Sequence, residues 1–196
     1  LNCYYMSRRR KKTISSRLAV AILGEGITER EYFKSLKKHS NLSFKFKPEI
    51  PKHSDIHSIV KKAKNLKEVF DIVFCIIDLD RILANPKEKQ KYYNLKAKNK
   101  ELIFIENNPC FEIWFLLHFE FSTREYASCE SLIYILKKNI PDYKKSESYL
   151  AKKDLYFYLE GQLSKAFDNS IHLEKSGVDT KCDMYKVIHQ LNKLKI

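Results

Sequence analysis

Glycine and proline are scarce, four and five in 196 residues. So little turn chemistry leaves no room for long flexible linkers. No internal repeat or low-complexity stretch is present. No apolar run reaches the length of a membrane span. FEIWFLLHFEF is too short and carries charge. The N-terminus lacks the apolar core of a signal peptide. Cysteines number five (Cys3, Cys75, Cys110, Cys129, Cys182), an odd total with no CxxC pair. That usage predicts reduced thiols in a cytoplasmic protein rather than a disulfide framework, and it predicts no cysteine zinc site. Acid is the minority charge: 24 Asp and Glu against 37 Lys and Arg leave a formal +13.

What is present is enough for a core. Apolar and aromatic residues make up 44% of the chain, which argues against disorder. The length suits one domain with a helical extension. The excess positive charge favours an anionic partner, with nucleic acid as the first candidate. A solvated lysine-rich surface accounts for the charge equally well. The run Arg8 to Lys12 reads as part of a basic tail over residues 1–16.

Two acidic clusters each follow an apolar run. Glu25 and Glu29 follow Leu18 to Leu23, and Asp78 and Asp80 follow Ile72 to Ile77. Continuous rather than alternating apolar runs suit strands of a parallel sheet covered on both faces. Ligand chemistry in such sheets lies beyond the carboxyl ends of the strands. Four carboxylates converging there suit a hard divalent cation, magnesium or manganese.

The surrounding pattern alternates strand and helix. Thr28 and Glu31 have capping-box spacing, so a helix is expected from an N-cap at Thr28 to about Lys38. A strand over Ser43 to Ile50, a helix over Asp55 to Leu66, a strand over Ile72 to Asp78 and a helix from Pro86 to Lys100 follow. LIFIE, Leu102 to Glu106, is a fourth strand. Asn107 and Asn108 before Pro109 then read as the cap of a helix running to about Phe119. That helix is apolar on nearly every face and should be buried. Residues 17–125 therefore form an α/β core with a mainly parallel sheet, and residues 126–196 a helical extension packed on it. Its expected helices are Leu132 to Lys138, Tyr149 to about Phe167 and Met184 to Leu194.

Each candidate residue has a competing structural explanation. Asp78 and Asp80 are two apart, so on an extended strand both side chains leave on one side, where a cation would relieve their repulsion. A solvated strand end is the alternative. Glu25, between Gly24 and Gly26, suits a general acid or base, or a metal ligand. Glu29 in a first helical turn is explained by the helix dipole as well as by metal binding. Glu112 is costly on a buried helix unless it is paired or metal-bound, and a structural bridge to a buried base is slightly preferred. Its place just after the fourth strand still puts it near the site. His118 reads first as a satisfied core histidine and second as a supporting residue. His53 and His57 are four apart, but a helix start between them argues against a shared zinc site. Arg81, Lys144, Lys145, Lys152 and Lys153 are the candidate phosphate contacts. For the four lysines, which lie among Tyr143 and Tyr149, a solvated helical face is the simpler explanation.

Together, GEGITEREYF, CIIDLDR, NNPCFEIWFLLHFE and KCDMYKVIHQL resemble the RloB family over roughly Arg17 to Leu194. The NPCFE segment is the most specific. The resemblance implies a Toprim-like (topoisomerase-primase) fold and a setting in bacterial phage-defence and restriction loci, with an ATPase encoded nearby. It matches Glu25 to the Toprim glutamate and Asp78 and Asp80 to its DxD. Glu29 matches the second acid of the ExxxE pattern in OLD-family Toprim nucleases. Two positions depart: Gly24 stands where cysteine is expected, and Asn107 where serine is. Neither removes a carboxylate. The implied activity is metal-dependent cleavage of a phosphodiester in RNA or DNA. A non-catalytic nucleic-acid-binding or regulatory subunit working with the ATPase is the alternative.

Overall fold

The computed structural model describes residues 18–40, 42, 45–50 and 55–194. The basic tail, His53 and Cys3 lie outside them. Four strands run parallel: β1 (Ala19–Leu23), β2 (Lys45–Glu49), β3 (Ile72–Asp78) and β4 (Ile103–Asn108). A two-residue fifth, β5 (Lys181–Cys182), pairs antiparallel with β4, giving the order β2-β1-β3-β4-β5. The chain is thus α/β, with a five-stranded, mainly parallel sheet flanked by helices.

Burial follows the strand pattern. All five residues of β1 are buried, as are Val73 to Ile77 of β3. Alternate side chains feed two cores. Ala21, Leu23, Val73, Cys75 and Ile77 join α2 (Ile56–Lys67) and α4 (Pro86–Lys98) on one face. Val20, Ile22, Phe74, Ile76 and Ile105 join the larger core on the other. That second face carries α1 (Ile27–His39), α5 (Glu112–Leu117), α6 (Cys129–Leu136), α7 (Glu147–Lys153), α8 (Leu155–Leu159), α9 (Leu163–Ser176) and α10 (Met184–Lys193). Every residue of α5 is fully buried, as its all-round apolarity requires. Trp114 anchors it, its indole N–H donating to the Tyr32 hydroxyl at 2.9 Å.

Several local expectations are corrected. The cap of α1 is Gly26, not Thr28, because Glu29 reaches back from the third helical position. Its Oε1 accepts from the backbone N–H of Glu25 (3.1 Å) and Gly26 (3.2 Å). Thr28 is buried inside the helix. Asn107 and Asn108 extend β4 rather than capping a helix, since β5 supplies partners through the pairs Asn107↔Cys182 and Asn108↔Lys181. The Asn108–Pro109 peptide is cis, and α5 begins three residues later. The single helix expected over Tyr149 to Phe167 is broken at Asp154, which is left-handed (φ 52°). Its carboxylate accepts from Ser35, from Lys38 (2.8 Å) and from His39 (2.8 Å), so contacts with α1 hold this turn open. β5 itself interrupts the purely helical reading of residues 126–196. A short helix, α3 (Asp80–Ala84), follows β3 directly. No helix among the described residues is long and apolar enough to cross a membrane.

Candidate acidic site

The carboxyl ends of β1 and β3 open into a cleft of about 380 Å³. Its wall carries five acids (Glu25, Glu29, Asp78, Asp80, Glu130) and only two bases (Arg81, Lys145). Backbone order explains the convergence. β1 delivers Glu25 one residue past Gly24, and adjacent β3 delivers Asp78 at its last position. The two are tied directly, the Asp78 N–H donating to Glu25 Oε1 at 3.0 Å. Asp78 Oδ1 in turn accepts from the Phe111 N–H at 2.8 Å, which links β3 to the segment that starts α5.

Gly24 is sterically necessary here. A Cβ at that position would lie 2.6 Å from the Cβ of Glu29. The glycine that departs from the expected cysteine thus lets Glu29 pack over the turn and cap α1.

Too few cations face these acids. Burial, followed by the nearby Glu29 and Asp80, pushes the Glu25 carboxyl up to about 8 despite the Asp78 N–H bond that opposes the shift. Burial first, and then Glu29, Glu25 and Glu112, hold Asp78 well above the ordinary carboxylate range. Glu29 is raised by burial and by Glu112. Such a cluster holds protons until a cation displaces them.

Asp80 does not share a strand face with Asp78. Leu79 turns the chain and Asp80 opens α3, where its Oδ1 accepts from the Arg81 N–H at 2.6 Å. Both aspartates still line the cleft, Asp80 on the half-exposed rim. Glu25 and Asp78 also line a second hollow of about 260 Å³ together with Asp55, Arg81 and Glu88. Sequence reasoning missed Asp55 and Glu88. Asp55 reads only as the start of a helix, where it caps α2, and Glu88 is hidden in a lysine-rich helix.

Glu112 is fully buried behind the cleft and is paired. It accepts from Tyr143 Oη (2.7 Å), Thr28 Oγ1 (3.4 Å) and Lys145 Nζ (3.0 Å). The structural bridge is therefore what forms, placed beside the acids as expected. Burial alone would lower Lys145, but Glu112 and then Asp78 outweigh it and raise the lysine. His118 is a core histidine. Its Nδ1 lies 2.8 Å from the Trp114 carbonyl, it does not line the cleft, and burial lowers it to about 4. Of the candidate phosphate contacts, Arg81 and Lys145 line the cleft. Lys144 and Lys152 are exposed, and Lys153 bonds Asp142 at 3.2 Å. Tyr143 is committed to the core.

Cys110 and Cys129 form a disulfide on the cleft wall, contrary to the expectation of reduced thiols. Their separation of 19 residues is closed because α6 folds back onto α5, which scattered spacing cannot reveal. Cys75 and Cys182 are free and buried. Cys110, Glu112 and Cys129 place ligand atoms within 4.8 Å of one another, so the group could hold a metal ion. The two sulfurs are bonded to each other, so that requires the pair to be reduced to thiolates.

The chain belongs to the RloB-like protein family, which it matches over residues 20–191. No curated protein and no solved structure matches it.

Proposed function

We propose that this chain is a metal-dependent nuclease of Toprim type, cleaving a phosphodiester in RNA or DNA. The observation that carries the reading is the cleft at the ends of β1 and β3, with five carboxylates facing two bases. This donor set is all oxygen and short of positive charge, which fits magnesium or manganese rather than a soft metal. Asp78 and Asp80 are the residues to hold the cation, with Glu29 contributing the oxygen not used in capping. When bound, the cation supplies Lewis-acid stabilisation of the phosphoryl oxygens. Glu25 holds a proton near neutral pH and is hydrogen-bonded to the Asp78 backbone, so it is placed to give or take a proton at the reacting oxygens. Arg81 and Lys145 offer positive charge to phosphate at the rim. Membership of the RloB-like family supports a phage-defence effector acting with an ATPase partner.

The purified protein with manganese should cut single- or double-stranded RNA or DNA, and Asp78→Ala should abolish the cutting. Equal cleavage by that variant would overturn the assignment.

A further inference from the structure

Helix α4 has a surface that neither the core nor the acid cleft explains. It carries five lysines against one glutamate, and Tyr92 is its only buried residue. Lys96 is committed to Glu106. Lys87, Lys91 and Lys98 instead line a groove of about 470 Å³ together with Gln90, Asn94 and His57 of α2. Spacings of four and seven residues put the three lysines on one helical face. Lys87 and Lys98 are exposed and make no ion pair among the described residues, and Lys91 makes only a 3.5 Å contact with Glu88. Polar amides lie between the cations, with Gln90 Nε2 donating to Asn94 Oδ1 at 2.9 Å.

The groove lies next to a hollow that reaches the acids. The neighbouring hollow contains Asp55 and Glu88, which sit beside His57 and Lys87 at the starts of α2 and α4. Glu25 and Asp78 form the far wall of that hollow. The stripe from Lys87 to Lys98 covers about 16 Å at the helical rise. That length corresponds to about five base steps along one duplex strand.

We infer that the α2–α4 groove is the track for the phosphate backbone of a nucleic-acid strand whose scissile bond lies in the acid cleft. The inference rests on the nuclease reading for the identity of the ligand and adds where the strand runs. Lys87, Lys91 and Lys98 neutralise phosphates about two and three steps apart, while Gln90 and Asn94 donate to backbone oxygens. The acids repel a strand unless a divalent cation is present.

Binding of fluorescent single-stranded and duplex RNA and DNA should therefore be measured by anisotropy with calcium present, across a potassium chloride series. K87Q/K91Q/K98Q should reduce the slope of log affinity against log salt by about 2 for a single strand or about 2.7 for a duplex. K87R/K91R/K98R should keep the slope. An unchanged slope in the glutamine variant, with manganese-dependent cleavage intact, would overturn the track and leave the nuclease standing. So would a slope lost only in K144Q/K152Q, which would route the strand over α7 and the segment before it. Absence of binding by the unaltered protein to any of these probes would overturn both.

Discussion

Glu106 and the acids of the cleft sit at the carboxyl edge of the same sheet and are treated in opposite ways. Glu106, near the end of β4, is surrounded by donors. Lys96 and Lys181 pair with it, and the Tyr92 hydroxyl donates at 2.5 Å. Burial alone would raise Glu106, but Lys181, Lys96 and Tyr92 outweigh it and hold the carboxyl at about 2. On the neighbouring β3 and beyond β1, burial and mutual repulsion lift Asp78, Glu25 and Glu29. Burial raises the carboxyls in both places and is overcome only at Glu106, so the deciding variable is the supply of donors. A satisfied carboxylate serves the fold. A set of unsatisfied ones persists where an external cation completes it, and perturbed acids in a cleft mark a functional site for that reason.

The contrast breaks most sharply under paired substitution. Glu25→Gln should lower manganese-dependent cleavage by about 10²- to 10⁴-fold, the range for losing a general acid or base. The fold should be as stable as before or more so, because an amide does not ionise in the unfolded chain, whereas burial keeps the native Glu25 from ionising. Glu106→Gln should do the reverse. It leaves Lys96 without its anion and Lys181 with only Asp183 at 3.7 Å, and since both lysines reach water the cost should be about 1–2 kcal/mol. Cleavage assays beside urea unfolding of the two variants decide this. Similar losses of activity in both would erase the distinction between the clusters.

The two regions are also fastened differently. The acid cleft has the Cys110–Cys129 disulfide on its wall, whereas Glu106 is held by two ion pairs and the Tyr92 hydroxyl. Closing a loop of this separation stabilises a fold by about 3 kcal/mol in the chain-entropy description. Reduction with dithiothreitol should therefore shift the urea midpoint of the unaltered protein but not that of C110S/C129S. Raising salt should weaken the Glu106 pairs in both proteins alike. A midpoint indifferent to reductant would show that the bond contributes nothing to stability.

How much of this was legible in the sequence depended on range. The runs before Glu25 and Asp78 announce buried parallel strands, because side chains packed on both faces leave no polar alternation. Glu112 announces a partner because an unpaired buried carboxylate is too costly, although the identity of Lys145 depends on a loop 33 residues away. What failed to show were features set by distant contacts. Asp154 breaks a periodic helix because Ser35, Lys38 and His39 hold its carboxylate. β5 is two residues long, too short to have a period. The spacing makes Asp80 the strand partner of Asp78, but the strand ends at Asp78, two residues short of it. Thr28 looked like a cap because its own spacing fitted one. Glu29 won the role because Gly24 leaves room for its side chain to pack against the turn.

The smallest effect isolates the raised acids by pH. Glu25 sits at about 8 in the fold against an ordinary 4.5. Above pH 4.5 the unfolded chain gives up this proton while the native state keeps it until about pH 8, so stability is full below 4.5 and falls as pH rises through that window. Glu29 and Asp78 shift in the same direction. Glu106 and Asp154, both held at about 2, lose stability only as pH falls below the ordinary carboxylate range. His118, lowered to about 4 from 6.5, opposes the acids between those values, because the unfolded chain takes up its proton first. The interval from pH 6.5 to 8 is free of both. With water at the cleft mouth, the loss across it should be about 1 kcal/mol in chelator. Manganese should reverse the trend and stabilise more at pH 8 than at 6.5, since a cation binds the acids only as they deprotonate. Urea unfolding at the two pH values, with chelator and with manganese, measures both signs, and Glu25→Gln should flatten the slope in chelator. A flat slope in the unaltered protein would mean that these carboxylates are as well compensated as Glu106.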